Sequence, residues 1–119
     1  MKSVFIACSR RFNRDLLAFS KACIAEGIIA EDAGKVTDAK DTMESERSAL
    51  LRAFGRIDNT DVLYVIAKEG YIGKTVAMEI AYAHARGKVI VSSEEIEELS
   101  ARGLVSKVMK GEDLIGKLK

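Results

Sequence analysis

Short β-branched apolar runs recur along this chain, each followed by a longer stretch whose apolar residues fall at helical spacing. That alternation constrains the fold more than any other feature. Ser3 to Cys8 is short, continuous and β-branched, the pattern of a buried strand. From Asn13 to about Glu26, Leu16, Leu17, Phe19, Ser20, Cys23 and Ile24 recur at helical spacing, with Gly27 as a stop. Ile28 to Ala30 reads as a weak second strand and Glu31 to Lys35 as a loop. Met43, Leu50, Phe54 and Ile57 mark a helix whose wet face carries Glu44, Glu46, Arg47 and Arg52. Asp61 to Ala67 is the clearest strand, a helix follows from about Gly73 to Arg86, and Gly87-Lys88 turns into the strand Val89 to Val91. Ser92 and Glu95 have the spacing of a capping box, which predicts a helix start there, and Glu112 to Leu118 reads as a short closing helix.

Strands alternating with helices imply right-handed βαβ units and a parallel sheet covered on both faces. The expected fold is therefore α/β: a doubly wound, Rossmann- or flavodoxin-like parallel sheet of about five strands with helices on both faces. At 119 residues there is no room for a second core, so residues 1–119 are read as a single domain. In open parallel sheets ligands bind beyond the C-terminal strand ends. Those ends carry Ser9 to Asn13, Glu31 to Lys35, Lys68 to Gly73, and Ser92-Ser93.

Composition removes several function classes. Lys plus Arg is 19 against 18 for Asp plus Glu, a formal charge of +1, which argues against nucleic-acid binding through a broad basic face. No apolar run reaches the roughly 18 residues needed to cross a bilayer, so no membrane partner is expected. The apolar part of the opening Met1 to Cys8 is too short for a secretory signal. Two cysteines and one histidine make a disulfide scaffold and a zinc site unpromising, and no metal or cofactor is expected. A reduced cytoplasmic domain is the resulting expectation.

Three segments carry candidate chemistry. Gly70-Tyr71-Ile72-Gly73-Lys74-Thr75 places Gly-Lys-Thr between a strand and a helix, but the first glycine of a triphosphate loop would fall on Lys68. The two glycines can still present amides to a phosphate or carboxylate, or simply shape a tight turn. Cys8 stands six residues before Arg14, the spacing of a cysteine-dependent phosphatase, yet Ser9-Arg10-Arg11-Phe12-Asn13 between them has no glycine and the chain has no proline. Ser9, Arg10 and Arg11 remain anion contacts or a solvated basic turn. Glu79 is the only charge in the stretch Val76 to Ala83. Side chains lean toward the helix N-terminus, so its carboxylate would point at the strand ends, with helix-start amides favouring its charge. From spacing alone it is either a functional carboxylate or an ordinary exposed one. His84, near the far end of that helix, reads as structural or exposed.

Asp61-Val62-Leu63-Tyr64-Val65-Ile66, Gly70 to Thr75, Glu79-Ile80-Ala81-Tyr82-Ala83 and Gly87-Lys88 together resemble the nucleoside 2-deoxyribosyltransferase-like superfamily, which includes deoxynucleoside 5'-monophosphate N-hydrolases. The likeness covers residues 58 to 93 best. It implies a nucleoside or nucleotide as small-molecule partner and a homodimer or higher homo-oligomer. It also implies Glu79 as the nucleophile on the anomeric carbon, with the base expelled and the glycosyl ester resolved by water or a second base. Substrate contacts are expected from Ser9, Arg10, Arg11, Glu69, Gly70, Tyr71, Gly73 and Thr75. Family enzymes place an Asp in the loop before the nucleophile helix; here Ala67-Lys68-Glu69-Gly70-Tyr71 offers only Glu69. The alternative is a non-catalytic nucleotide-binding or sensing module, with a cysteine-dependent phosphatase behind it.

Overall fold

The computed structural model describes residues 2–34 and 42–119. Met1 and Lys35, the two ends of expected segments, lie outside the described residues. The elements run β1 (Val4–Cys8), α1 (Asn13–Ala25), β2 (Ala30–Asp32), α2 (Met43–Asp58), β3 (Val62–Ile66), α3 (Lys74–Ala85), β4 (Val89–Ser92), α4 (Leu99–Arg102), β5 (Lys107–Val108) and α5 (Gly111–Leu118). They build the expected α/β fold, a five-stranded sheet in the order β2-β1-β3-β4-β5 with every pair parallel.

Period-two alternation along β1 and β3 sorts the core into two layers. Val4, Ile6, Val62, Tyr64 and Ile66 pack with Phe19 and Cys23 of α1 and Leu114, Ile115 and Leu118 of α5. Phe5, Ala7, Leu63 and Val65 pack with Ala53 and Ile57 of α2 and Val76, Ile80 and Ala83 of α3. Both faces are covered, which is why these strands read as continuous apolar runs. Helices α2 and α3 are tied together by Phe54 stacked on Tyr82 at 4.1 Å and by the Tyr82 hydroxyl donating to Asp58 Oδ2 at 2.8 Å.

Two expectations are corrected. The second strand is Ala30–Asp32, with Asp32 in register with Ile6, so Glu31 and Asp32 belong to the sheet and not to a loop. Ile28 instead closes α1, its N–H donating to Cys23 O. The capping-box reading at Ser92 also fails. Ser92 ends β4 and its Oγ donates to Glu94 O, while Ser93 Oγ accepts from Ala67 N–H, so both hydroxyls are spent on the end of the sheet. The helix starts later, at Leu99, where the Glu98 carboxylate accepts from Ala101 N–H at 2.7 Å. The capping box that does form joins Thr42 and Ser45 at the head of α2.

Gly70 holds the turn after β3 against the 95–97 segment. Its φ is +82°, its carbonyl accepts from Glu97 N–H, and a Cβ there would meet Glu95 O at 2.8 Å. Gly73 has φ −84°, and its nearest obstacle is the Tyr71 hydroxyl at 4.0 Å. Gly70→Ala is therefore expected to cost roughly 1–3 kcal/mol in chemical denaturation, and Gly73→Ala well under 1 kcal/mol.

Candidate active site

The chain passes from β1 to β2 on one side, then crosses back to β3 on the other. The crevice at that reversal is where open parallel sheets bind ligands. A cavity of about 680 Å³ lies there, large enough for a nucleotide-sized molecule. Ile6 to Arg10, Asn13, Leu16 and Leu17 form one wall, Asp32 to Gly34 another, Ser45, Glu46, Ala49, Leu50 and Arg52 of α2 a third, and Gly73 to Val76 with Glu79 the fourth.

Glu79 reaches the cavity from the buried stripe of α3, among Val76, Ile80 and Ala83, and is only 3% exposed. Burial pushes its carboxyl up from 4.5 to about 7. The expected support from helix-start amides is absent: among the described residues no hydrogen bond stabilises the charged form. Desolvation therefore decides its protonation. Cys8, on the floor of the cavity, is pushed up to about 12 by burial, then by the charges of Glu79, Asp15 and Asp32. It stays a neutral thiol, and Arg14 does not line the cavity. The thiolate and clamp of a phosphatase are not assembled.

The structure brings together Ser9, Arg10, Gly73, Thr75 and Glu79 of the expected site residues, and not the other four. Arg11 turns away and stacks its guanidinium 4.0 Å over the Tyr71 ring, which meets Phe12 edge-on. Gly70 is occupied by the 95–97 segment. Glu69 sits at φ +55°, exposed, with its N–H directed to Glu94 Oε1 at 3.3 Å. These residues shape the turn that precedes α3; they do not wall the cavity. Arg10 Nη2 pairs with Glu46 Oε1 at 3.1 Å, both residues lining the cavity and both side chains about half-exposed, so the pair is worth under about 1 kcal/mol.

Asn13, Asp32, Ser45, Glu46, Arg52 and Lys74 complete the polar lining. Asn13 and Asp32 lie in strand-end segments, the one signal that pointed to them. Glu46 and Arg52 had been expected on a wet helix face, a pattern indistinguishable in sequence from a cavity wall. Among the described residues no cluster of His, Cys, Asp and Glu is arranged to hold a metal ion, and no helix is long and apolar enough to cross a membrane.

Solved structures with this architecture include enzymes acting on nucleosides and nucleotides. A conserved protein from Enterococcus faecalis V583 aligns at a TM-score of 0.73 and 18% identity, covering 99% of this chain and 97% of its own. A 2-deoxyribosyltransferase from Bacillus psychrosaccharolyticus aligns at 0.63 and 17%, covering 95% and 90%. The Clostridium botulinum CMP N-glycosidase BcmB aligns at 0.57 and 21%, covering 98% and 97%. The chain thus has the fold of the nucleoside 2-deoxyribosyltransferase-like proteins. No family model matches the sequence, and no curated protein does.

The buried carboxyl has a measurable signature. Between about pH 4.5 and 7 the folded chain keeps a proton on Glu79 that the unfolded chain has released. Stability from this group is thus full below about 4.5, falls as pH rises through that window, and levels off above about 7. Glu79→Gln removes that slope. The difference in unfolding free energy between variant and wild type should grow across the window in the variant's favour, by no more than about 3.5 kcal/mol. A flat difference would place the carboxylate in water.

Proposed function

We propose that this chain is an enzyme of the N-glycosidic bond, transferring or hydrolysing the glycosyl group of a nucleoside or nucleotide through Glu79. The observation that carries the reading is a desolvated carboxylate, without a described hydrogen-bond partner, facing a nucleotide-sized cavity at the switch point. The enzymes sharing the fold, a 2-deoxyribosyltransferase and a CMP N-glycosidase, support the choice of bond. In this mechanism a Glu79 oxygen bonds to the anomeric carbon as the bond to the base breaks, and the electron pair leaves with the base nitrogen. Water or a second base then displaces the ester and restores the carboxylate. Thr75 and the amides at the head of α3 stand beside the reacting centre, Ser9 and Arg10 receive a phosphate where present, and Gly73 allows close approach. The working form is read as a cytoplasmic homodimer or higher homo-oligomer, consistent with a cavity rimmed by the exposed Leu17.

A second reading, a nucleotide-binding or sensing module, is favoured by one observation: Glu69, the only acid of the turn before α3, is outside the cavity. Incubation with ribo- and deoxyribonucleosides and their monophosphates separates the two, because only the enzyme releases free base. Glu79→Gln should lower base release by at least about a thousandfold while preserving binding. For the wild type, kcat/KM should fall as pH drops through about 7, since attack needs the ionised carboxylate. Full activity in the Gln variant would remove Glu79 from the chemistry.

Arg10→Ala should weaken monophosphates about tenfold or more and leave nucleosides nearly unchanged, whereas Arg11→Ala should leave both unchanged. Cys8→Ser should retain binding and turnover. Equal effects of Arg10→Ala on nucleosides and monophosphates, read by calorimetry, would take the phosphate away from this turn.

A further inference from the structure

Asp32 is a cavity residue that neither the attack at the anomeric carbon nor the phosphate contact uses. It ends β2 in register with Ile6, whose side chain belongs to the α1 side of the sheet. Side chains in register on neighbouring strands share a face, so Asp32 enters the cavity from the α1 side while Glu79 enters from the α2–α3 side. The two carboxylates thus approach one ligand from opposite faces of the sheet, around the end of β1.

Asp32 is also held in place. Its Oδ1 accepts from Gly34 N–H at 2.7 Å, closing a turn over Ala33, and its backbone carbonyl accepts from Arg56 Nη1 at 2.5 Å. Arg56 in turn lies 3.9 Å from Glu31, which anchors the end of β2 to α2. Among the described residues the carboxylate makes no other hydrogen bond. Glu46, the cavity's other carboxylate besides Glu79, is engaged by Arg10. The aliphatic part of the cavity lining is Leu16 and Leu17 of α1, Ala33 beside Asp32, and Ala49 and Leu50 of α2, while the guanidinium groups of Arg52 and Arg56 stand near Gly34. The cavity thus offers a flat ring aliphatic side chains to pack on and, at Asp32, one acceptor held in place. A carboxylate oxygen accepts, so at the position it meets it favours an exocyclic amino group over a carbonyl, whose lone pairs would face its own.

Resting on the reading of the cavity as a nucleotide site, we propose that Asp32 is a specificity-determining residue that accepts a hydrogen bond from an exocyclic amino group of the base, directing the enzyme to amino-bearing bases over their oxo counterparts. A sugar hydroxyl offers the same donor chemistry, and the choice of ligands separates the two sources.

The test measures binding by calorimetry on the Glu79→Gln chain, where nothing turns over, with and without Asp32→Asn. The ligands are the 5'-monophosphates of cytidine and uridine and of adenosine and inosine, each in ribo and 2'-deoxy form. With Asp32 present, the amino member of at least one pair should bind about tenfold tighter or more. Asp32→Asn, whose amide oxygen can still accept from Gly34 N–H and whose NH₂ can meet a carbonyl, should shrink that ratio to about threefold or less, or invert it. Asp32→Glu, which keeps an acceptor, should retain the sign of the preference and guards against misfolding of the Asn variant.

An amino-to-oxo ratio that Asp32→Asn leaves unchanged overturns the proposal, as does a change confined to the ribo-to-deoxy ratio. Base release by the wild type with an unchanged ratio sinks the proposal alone and spares the enzyme reading. Amino preference lost on Asp32→Asn, in a wild type that releases no base, upholds the assignment and removes the enzyme reading instead. No binding of any of the nucleotides overturns both.

Discussion

Everything functional in this molecule hangs on the placement of β1 between β2 and β3. β1 pairs with β3 over its full length, from Val4 against Val62 to Cys8 against Ile66, and with β2 only from Val4 to Ile6. The shorter pairing leaves Ala7 and Cys8 extending past the end of β2, and the space beside them is the cavity. The right-handed crossover rule then forces α1 to one face of the sheet and α2 and α3 to the other, so three helices converge on that space. Topology made the crevice before any polar residue was chosen to line it.

Within that frame the sequence was legible where burial is two-sided. β1 and β3 announce themselves because every position faces a helix, and Phe5, Ile6, Leu63 and Val65 are wholly buried. The edges were illegible for the opposite reason. β5 is the exposed pair Lys107 and Val108, held by backbone bonds that leave no apolar trace. β2 is Ala-Glu-Asp, half-buried throughout, and its polar residues look like a loop. Asp32 was hidden by that confusion, although the strand-end segment that contains it had been marked as a place for ligand contacts.

Glu79 stood out because a lone charge among Val76, Ile80 and Ala83 must either break the apolar stripe or serve a purpose. Its electrostatic state was another matter: spacing reports which residues share a face, not how much water remains there. Amides at the start of α3 suggested an easily ionised carboxylate, whereas the cavity wall desolvates it. The glycines misled in a related way. Gly70 is required by a backbone approach at 2.8 Å from the 95–97 segment, and sequence cannot distinguish a glycine that admits another part of the chain from one that admits a ligand.

The cost of burying Glu79 also bears on how such a site would react. A carboxyl pushed up to about 7 is in part protonated at neutral pH, and a protonated carboxyl cannot attack. Ligands that bring positive charge toward the anomeric centre favour its ionised form, and an oxocarbenium-like transition state brings most. The same desolvation that destabilises the ionised carboxylate in the resting chain therefore strengthens its attraction to the transition state, since the low local dielectric acts on both. Asp32 and the Arg10–Glu46 pair lie on the other walls of the cavity. The apolar surroundings of Glu79 thus do two jobs at once. They hold the helix against the sheet, and they make the free energy of one carboxylate depend steeply on the charge of whatever occupies the cavity.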